Sequence, residues 1–132
     1  MRPRRNPRLG IVSTEFAITL PLVLLFFFAA FEVCRFSMLV HTVDNAVYEG
    51  ARRGIIPGAT AATCRAESQR ILATLGVRAA NIVVTPQTLD AQTPEVTVNI
   101  TVPFAENSFA PVRFFSGASV NRTLTMSREV SR

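Results

Sequence analysis

The feature that most constrains this chain is an uncharged apolar run from Phe16 to Phe31. With the flanking residues from Ile11, it forms 21 positions (11 to 31) that contain one acid, Glu15. A helix of about 20 residues, rising about 1.5 Å per residue, crosses a hydrocarbon core of about 30 Å. A soluble core helix has a polar face, and this stretch has none. The sequence therefore predicts a transmembrane helix, which we assign to residues 11–35.

The charges are distributed unevenly along the chain. Four of the 14 arginines lie in residues 1–10 with no acid beside them. From Ile11 onward ten arginines face nine acids, a net charge of +1 (10 − 9). A nucleic-acid surface needs basic residues gathered on the folded part, so we predict no nucleic-acid partner. Because excess arginine stays on the cytoplasmic side, we predict a basic leader at residues 1–10, a cytoplasmic N-terminus and an exported α+β domain at residues 36–132.

A cleaved secretory signal is the alternative explanation of the apolar run. Such a signal has a shorter apolar region, followed by small residues at an A-x-A-like site. Here Ala29-Ala30 is followed by Phe31, Glu32 and Arg35, and the helical pattern continues. These features favour an anchor that stays attached to the domain.

Two residues of the apolar stretch are costly in a plain anchor. A carboxylate within the bilayer costs about 3 kcal/mol on insertion scales, and Glu15 stands at the edge of the run. An interfacial position accounts for Glu15 if the helix begins near Phe16. Pro21 removes a backbone hydrogen bond and kinks a helix unless neighbours compensate. An anchor alone requires neither residue.

The residues around the start of the apolar run resemble the start of a type IV pilin-like precursor. Such precursors have a short basic leader ending in glycine, a cleavage site on the cytoplasmic face, and glutamate as the fifth mature residue. The corresponding strings here are Arg8-Leu9-Gly10, Ile11-Val12-Ser13-Thr14-Glu15-Phe16 and Leu20-Pro21. The resemblance implies that a prepilin peptidase cuts between Gly10 and Ile11, which makes Glu15 the fifth mature residue.

The wider pattern resembles the TadE-like pseudopilins of the tight-adherence (Tad, or Flp) pilus system. The shared strings are E-F-A-x-x-L-P, E-x-x-R and A-x-x-E-G-A-R, and they cover about residues 8 to 56. The first two form an assembly and membrane motif, whose members are Glu15, Phe16, Pro21, Glu32 and Arg35. The third forms an outer-helix motif, whose members are Glu49, Gly50 and Arg52.

The resemblance implies a minor pilin-like (pseudopilin) subunit or assembly protein of a Tad/Flp-type pilus or a related secretion system. Its expected place is the bacterial cytoplasmic membrane, as a single-pass protein with an extracytoplasmic C-terminal domain. The expected partners are a prepilin peptidase, other pilins or pseudopilins, the pilus assembly platform and the membrane. Cleavage would create a charged α-amino group at Ile11, so we hypothesise that Glu15 pairs with this group of a neighbour during assembly.

Two other functions remain open. The first is a single-pass, membrane-anchored extracytoplasmic binding or sensor protein, and the second is a pseudopilin of a type II secretion system. Catalysis is not expected, because His41 has no plausible nucleophile nearby and no Gly-rich phosphate loop is present. Cys34 and Cys64 form no CxxC or metal-ligand spacing. We therefore predict that the chain is not an enzyme and needs no cofactor and no metal.

Beyond Arg35 the helical pattern continues to about Gly54. The apolar residues recur every four positions and are Leu39, Val43, Val47 and Ala51. Small residues form a second row of Ala46, Gly50 and Gly54, which is either ordinary helix surface or a close-contact seam for another helix.

A break at Ile55-Ile56-Pro57-Gly58 precedes a second helix, predicted over residues 60–75 with Gly76 as its stop. Its apolar face is predicted to contain Cys64, Ser68, Ile71, Leu72 and Leu75. Three strands follow at residues 81–85, 95–102 and 120–130, with a long connection at 104–117. The predicted class is α+β and pilin-like, with a long transmembrane helix extended beyond the membrane, a second short helix and a small antiparallel sheet of about three strands.

The two cysteines lie at different heights on the predicted helices. Measured from the turn, Cys34 and Cys64 are about 20 Å apart along the axis at about 1.5 Å per residue, whereas a disulfide needs Cα atoms within about 7 Å. We predict no intrachain disulfide. Cys34 is expected to face lipid or another helix, and Cys64 is a candidate for an intermolecular bond.

Overall fold

A computed structural model describes residues 7–90, 92–109 and 117–129. Its first element is helix α1, Pro7–Gly54, whose 48 residues span about 72 Å at about 1.5 Å each. The predicted end at Gly54 is confirmed. The described helix includes Pro7 to Gly10, ahead of the predicted membrane span that begins at Ile11. Pro21 lies inside α1 without ending it.

Helix α1 divides into an exposed half and a packed half. Every residue from Gly10 to Phe27 is exposed. Phe28 and Ala29 are partly covered, and Glu32 is the first buried residue. By length and composition this helix can cross a membrane, so the prediction of a membrane-spanning element is supported.

The packed half of α1 buries the predicted row. The side chains of Leu39, Val43, Val47 and Ala51 are all buried in the core. Their spacing of four residues keeps them on one face of a helix with 3.6 residues per turn. The prediction of this apolar face is confirmed.

Helix α2, Ala61–Thr74, begins and ends where the sequence indicates. Thr60 precedes it, and its hydroxyl accepts a hydrogen bond from the Thr63 backbone N–H, while the Thr63 side chain accepts one from the Thr60 N–H. This reciprocal pair satisfies N–H groups that have no partner within a helix. Gly76 adopts a φ of +64° just after the helix, a conformation that glycine adopts without strain.

The sheet contains three antiparallel strands in the order β1-β2-β3. These are β1, Asn81–Thr85, β2, Glu95–Pro103, and β3, Ser119–Ser127. Val98 lies opposite Val84 on one side and Leu124 on the other. The even-numbered positions of β2 are buried, and the odd-numbered positions carry Thr97, Asn99 and Thr101, which face away from the core.

Both helices cover the apolar face of the sheet. Helix α1 packs against α2, β2 and β3, and α2 also packs against β1. A short 3₁₀ helix, Phe104–Glu106, follows β2 and buries Phe104, whose ring meets Phe36 of α1 edge-on with centroids 5.2 Å apart. The predicted α+β class is confirmed. Residues 1–6 of the predicted leader, 110–116 of the predicted connection and Val130 lie outside the described residues.

Candidate functional site

Gly10 lies within α1 at a place where the fold does not require glycine. Its backbone is helical, and apart from its neighbours and the backbone of its own helical turn, none of the described residues comes within 4 Å of the position that a Cβ would occupy. A glycine inside a helix is less stable than alanine by about 1 kcal/mol. Its carbonyl oxygen also accepts a hydrogen bond of 2.9 Å from the Thr14 hydroxyl. Packing within the described part of the chain therefore does not require glycine at this position.

The next motif residues, Glu15, Phe16 and Pro21, are all exposed on the first half of α1. Within the described part of the chain, the Glu15 carboxylate makes no ion pair and accepts no hydrogen bond. Only its backbone carbonyl is engaged, by the Thr19 hydroxyl at 3.0 Å. In this half of α1 the motif residues are therefore available to groups from other molecules.

Glu32 lies one turn before the point where α1 enters the core, and it is 1% exposed. Its Oε1 accepts a hydrogen bond of 2.9 Å from the Ser108 hydroxyl, 76 residues away in sequence. A buried carboxylate is stable only when it is hydrogen-bonded or paired. Glu32 thus joins α1 to the segment that follows the 3₁₀ helix, rather than facing lipid.

Arg35 makes the second connection to the same segment. Its Nε donates to the carbonyl oxygen of Asn107 at 3.3 Å, and its Nη2 donates to that of Leu75 at 3.2 Å. Leu75 ends α2, where the free carbonyls carry partial negative charge, so a cation is favourable there. The guanidinium also lies over the ring of Phe109, 4.6 Å from its centroid. Arg35 therefore holds together α1, the end of α2 and residues 107–109.

Asn107 also stabilises this junction between α1, the end of α2 and residues 107–109, through its own side chain. The sequence did not lead us to predict this role. Its buried amide nitrogen donates to the carbonyl oxygens of Arg78 at 3.0 Å and Pro103 at 2.9 Å. Its amide oxygen accepts the Arg78 backbone N–H at 2.8 Å. The signal in the sequence is an Asn-Ser pair between two phenylalanines, Phe104 and Phe109, which marks polar side chains inside an apolar segment.

The outer-helix motif lies about 20 Å farther along α1, at about 1.5 Å per residue, and does not meet the Glu32–Arg35 junction. Glu49 and Arg52 form an exposed ion pair at 3.5 Å, and such pairs contribute little to stability. Gly50 is different, because a Cβ there would collide with Ser68 Oγ of α2 and lie 3.3 Å from the Cys64 carbonyl oxygen.

Gly54 repeats this close approach one turn later. A Cβ on Gly54 would lie 2.8 Å from Val96 Cγ1 and 3.1 Å from Cys64 Sγ. Nearby, the buried Ser68 hydroxyl donates to the Ala46 carbonyl oxygen at 2.9 Å. The row of small residues is therefore a close-contact seam, and the helix it accommodates is α2 of the same chain.

Comparison with known families bears on these motifs. A family model described as TadE-like protein matches residues 10–52, about a third of the 132 residues. Residues 10–52, called the TadE-like segment below, are similar to this family. The resemblance inferred from the motifs is confirmed over this segment, and the match supports an association with a Tad-type pilus system in general. Comparisons with curated proteins and with solved structures found no match.

The TadE-like segment begins at Gly10 and ends at Arg52, so it coincides with α1. It includes the exposed apolar half, the Glu32–Arg35 junction and the outer-helix motif. Helix α2 and the sheet lie outside the match. Gly50 lies within the match, and because it has no Cβ, atoms of α2 can pack directly against it. The TadE-like segment thus contains both the candidate membrane span and the surface on which the rest of the chain packs.

The two thiols differ in exposure. Both cysteines are free, which confirms the absence of an intrachain disulfide, and Cys34 of the TadE-like segment is exposed. Cys64 is fully buried, and this burial raises the pKa of its thiol. The prediction that Cys64 is a candidate for an intermolecular bond is therefore wrong for the folded chain, because its sulfur packs against Gly54 inside the core.

Proposed function

We propose that the chain is a minor pilin-like (pseudopilin) subunit or assembly protein of a Tad/Flp-type pilus or a related secretion system. It is a single-pass protein of the bacterial cytoplasmic membrane, with its N-terminus in the cytoplasm and residues 36–132 outside. The TadE-like match and the exposed apolar half of α1 support this proposal. The role is structural, with no catalysis and no cofactor.

The observation that carries the proposal is Gly10. Three glycines lie in α1, and two of them, Gly50 and Gly54, are needed because neighbouring atoms leave no room for a Cβ. Gly10 faces open space among the described residues. A peptidase that binds the extended backbone closely on both sides of the cut accounts for a glycine at this position.

Processing at this bond requires local unwinding of α1. The bond between Gly10 and Ile11 lies within the helix, and the Thr14 hydroxyl adds a hydrogen bond to the carbonyl that is to be attacked. Glycine lowers helix stability by about 1 kcal/mol relative to alanine, which favours opening at the cleavage site. A prepilin peptidase would then release a chain that begins at Ile11.

Assembly would follow from the new N-terminus. The α-amino group of Ile11 is charged at neutral pH, and the Glu15 carboxylate has no ion-pair partner among the described residues. Because an unpaired charge near hydrocarbon is costly, pairing between the Ile11 amine of one subunit and Glu15 of a neighbour would favour ordered contacts over free monomers.

The test compares two glycine variants in the native host. Gly10→Ala is expected to retain its leader, whereas Gly50→Ala, which alters packing far from the cut, is expected to be shortened like the wild type. Mass spectrometry of the membrane-extracted chains distinguishes the two forms. Normal processing of Gly10→Ala would contradict the role given to this glycine.

The Glu15 step is tested separately with Glu15→Ala and Glu15→Gln. Both are expected to insert and to be processed, but to be lost from purified pilus or assembly-complex fractions. Incorporation at the wild-type level would refute the assembly role of Glu15 while leaving the processing step intact.

The anchored binding protein remains the second candidate because of one cleft. This open cleft of about 430 Å³ lies between α2 and β1 and is lined by aliphatic side chains together with Arg65 and Gln69. Its volume falls within the usual range for small-molecule sites. Such a protein has no need of processing after Gly10, so retention of the leader in the wild-type chain would favour this function.

A further inference from the structure

The base of the exported domain lies at the level where the apolar run of α1 ends. The last residue of the uncharged run is Phe31, and the next turn carries Glu32 and Arg35. These two side chains bind Ser108 and the Asn107 carbonyl oxygen, so residues 107–109 lie beside the same turn of α1. The end of α2 reaches this level too, through the bond from Arg35 to the Leu75 carbonyl oxygen.

This level corresponds to the outer boundary of the hydrocarbon core. Twenty residues of helix counted from Phe16 end at Arg35, and about 20 residues cross about 30 Å. Helix α1 continues without a break from the apolar run into the half that packs against the domain. No linker therefore separates the folded domain from the predicted bilayer surface.

An apolar side chain projects from this base. Phe109 is 65% exposed, the largest exposed fraction of any large apolar residue described beyond the apolar run. One face of its ring covers the Arg35 guanidinium, with 4.6 Å between the centroid and the guanidinium carbon. Exposure of an aromatic ring to water is unfavourable, whereas the interface between headgroups and acyl chains accommodates it well.

The contacts of Arg35 also suit the interface between headgroups and acyl chains. Two of its donors are bonded to backbone carbonyls at 3.3 and 3.2 Å, and the ring of Phe109 covers one face of the cation. A cation at the edge of a membrane is stable when its donors are satisfied and when it remains close to the headgroups.

We propose that the basal surface, formed by Arg35 and residues 107–109, rests on the outer leaflet of the membrane that α1 spans, with Phe109 in its interfacial region. The occupant is a lipid surface, because α1 brings the bilayer boundary to this level. The contact holds the domain at a fixed distance from the membrane. This inference rests on the proposed membrane insertion of α1.

The chain contains no tryptophan, so single tryptophans report on position without background. Phe109→Trp retains a ring over Arg35, and Phe27→Trp places a reporter in the exposed apolar half of α1. Ile56→Trp is the matched control, since Ile56 is exposed just beyond the end of α1, and Gly54 at that end lies about 30 Å from Arg35 at about 1.5 Å per residue. Each full-length variant is reconstituted into phosphatidylcholine–phosphatidylglycerol vesicles with or without acyl-chain-brominated lipid.

The expected result is strong quenching of Phe27→Trp, clear quenching and a blue-shifted emission for Phe109→Trp, and no quenching of Ile56→Trp. If Phe27→Trp is quenched while Phe109→Trp behaves like Ile56→Trp, the basal contact is refuted and the membrane insertion stands. If Phe27→Trp itself is not quenched, the insertion fails and this inference fails with it.

Discussion

Replacement of Gly50 by alanine tests the packing of α1 on α2, because the added methyl group has no free space. Its carbon would collide with Ser68 Oγ and lie 3.3 Å from the Cys64 carbonyl oxygen. To make room, the Ser68 hydroxyl has to rotate and lose its buried bond of 2.9 Å to the Ala46 carbonyl oxygen.

Three effects determine the change in the free energy of unfolding, of which two lower it and one raises it. A buried hydroxyl left without its bond costs about 1–3 kcal/mol. Overpacking between two helices costs at least about 1 kcal/mol, and the higher helix propensity of alanine returns about 1 kcal/mol. The net expectation is a loss of about 2 kcal/mol in the free energy of unfolding, a factor of about 30 in the unfolded population.

The assay uses Cys64, which is fully buried, as the reporter of unfolding in a Cys34→Ser background. The rate of maleimide labelling of Cys64 is expected to rise about 30-fold in Gly50→Ala, with a lower Tm as a second readout. The Gly50→Ala, Ser68→Ala double variant removes the obstructing oxygen and is expected to recover most of the loss. Labelling of Gly50→Ala at the wild-type rate, with unchanged Tm, would refute the close-contact seam.

Three further predictions concern the remaining contacts. Asn107→Ala removes three side-chain hydrogen bonds and is expected to lower the free energy of unfolding, measured by denaturant titration, by about 2–3 kcal/mol. The control Asp44→Asn removes only the exposed ion pair of 2.7 Å with Arg122 and should lower it by less than about 1 kcal/mol. Equal losses in the two variants would contradict this ranking. In the folded chain, the Cys34→Ser variant should react with maleimide through Cys64 only after unfolding; fast reaction of this variant under native conditions would contradict the burial of Cys64. Burial raises the pKa of the Cys64 thiol in the folded chain, so this thiol loses its proton at a lower pH in the unfolded chain than in the folded one. The free energy of unfolding should therefore fall as the pH rises above about 8.5. This fall should be absent in Cys64→Ser.

Much of the fold follows from local periodicity. The repeat of four residues from Leu39 to Ala51 places them on one helical face, and the alternation from Val96 to Val102 does the same for β2. Such patterns depend only on residues close in sequence, so they predict elements and buried faces without knowledge of the tertiary structure. The bounds of α2 follow likewise from Thr60 and Gly76.

The contacts between elements were less accessible from the sequence. The partners of Glu32 and Arg35 in residues 107–109 are more than 70 residues away, and no periodicity indicates which loop returns to a given turn of a helix. The burial of Cys64 depends on how closely Gly54 lets α1 approach α2. A row of small residues shows that some backbone comes close but does not say whether it belongs to the same chain.

The mass of the mature N-terminus in membranes from the native host shows whether this chain is a processed pilin-like subunit. A processed subunit begins at Ile11, with the ten leader residues removed after Gly10. A mature chain that begins at Met1 or Arg2 would contradict it. The leader would then serve only to orient the helix, and the anchored binding protein would become the better account.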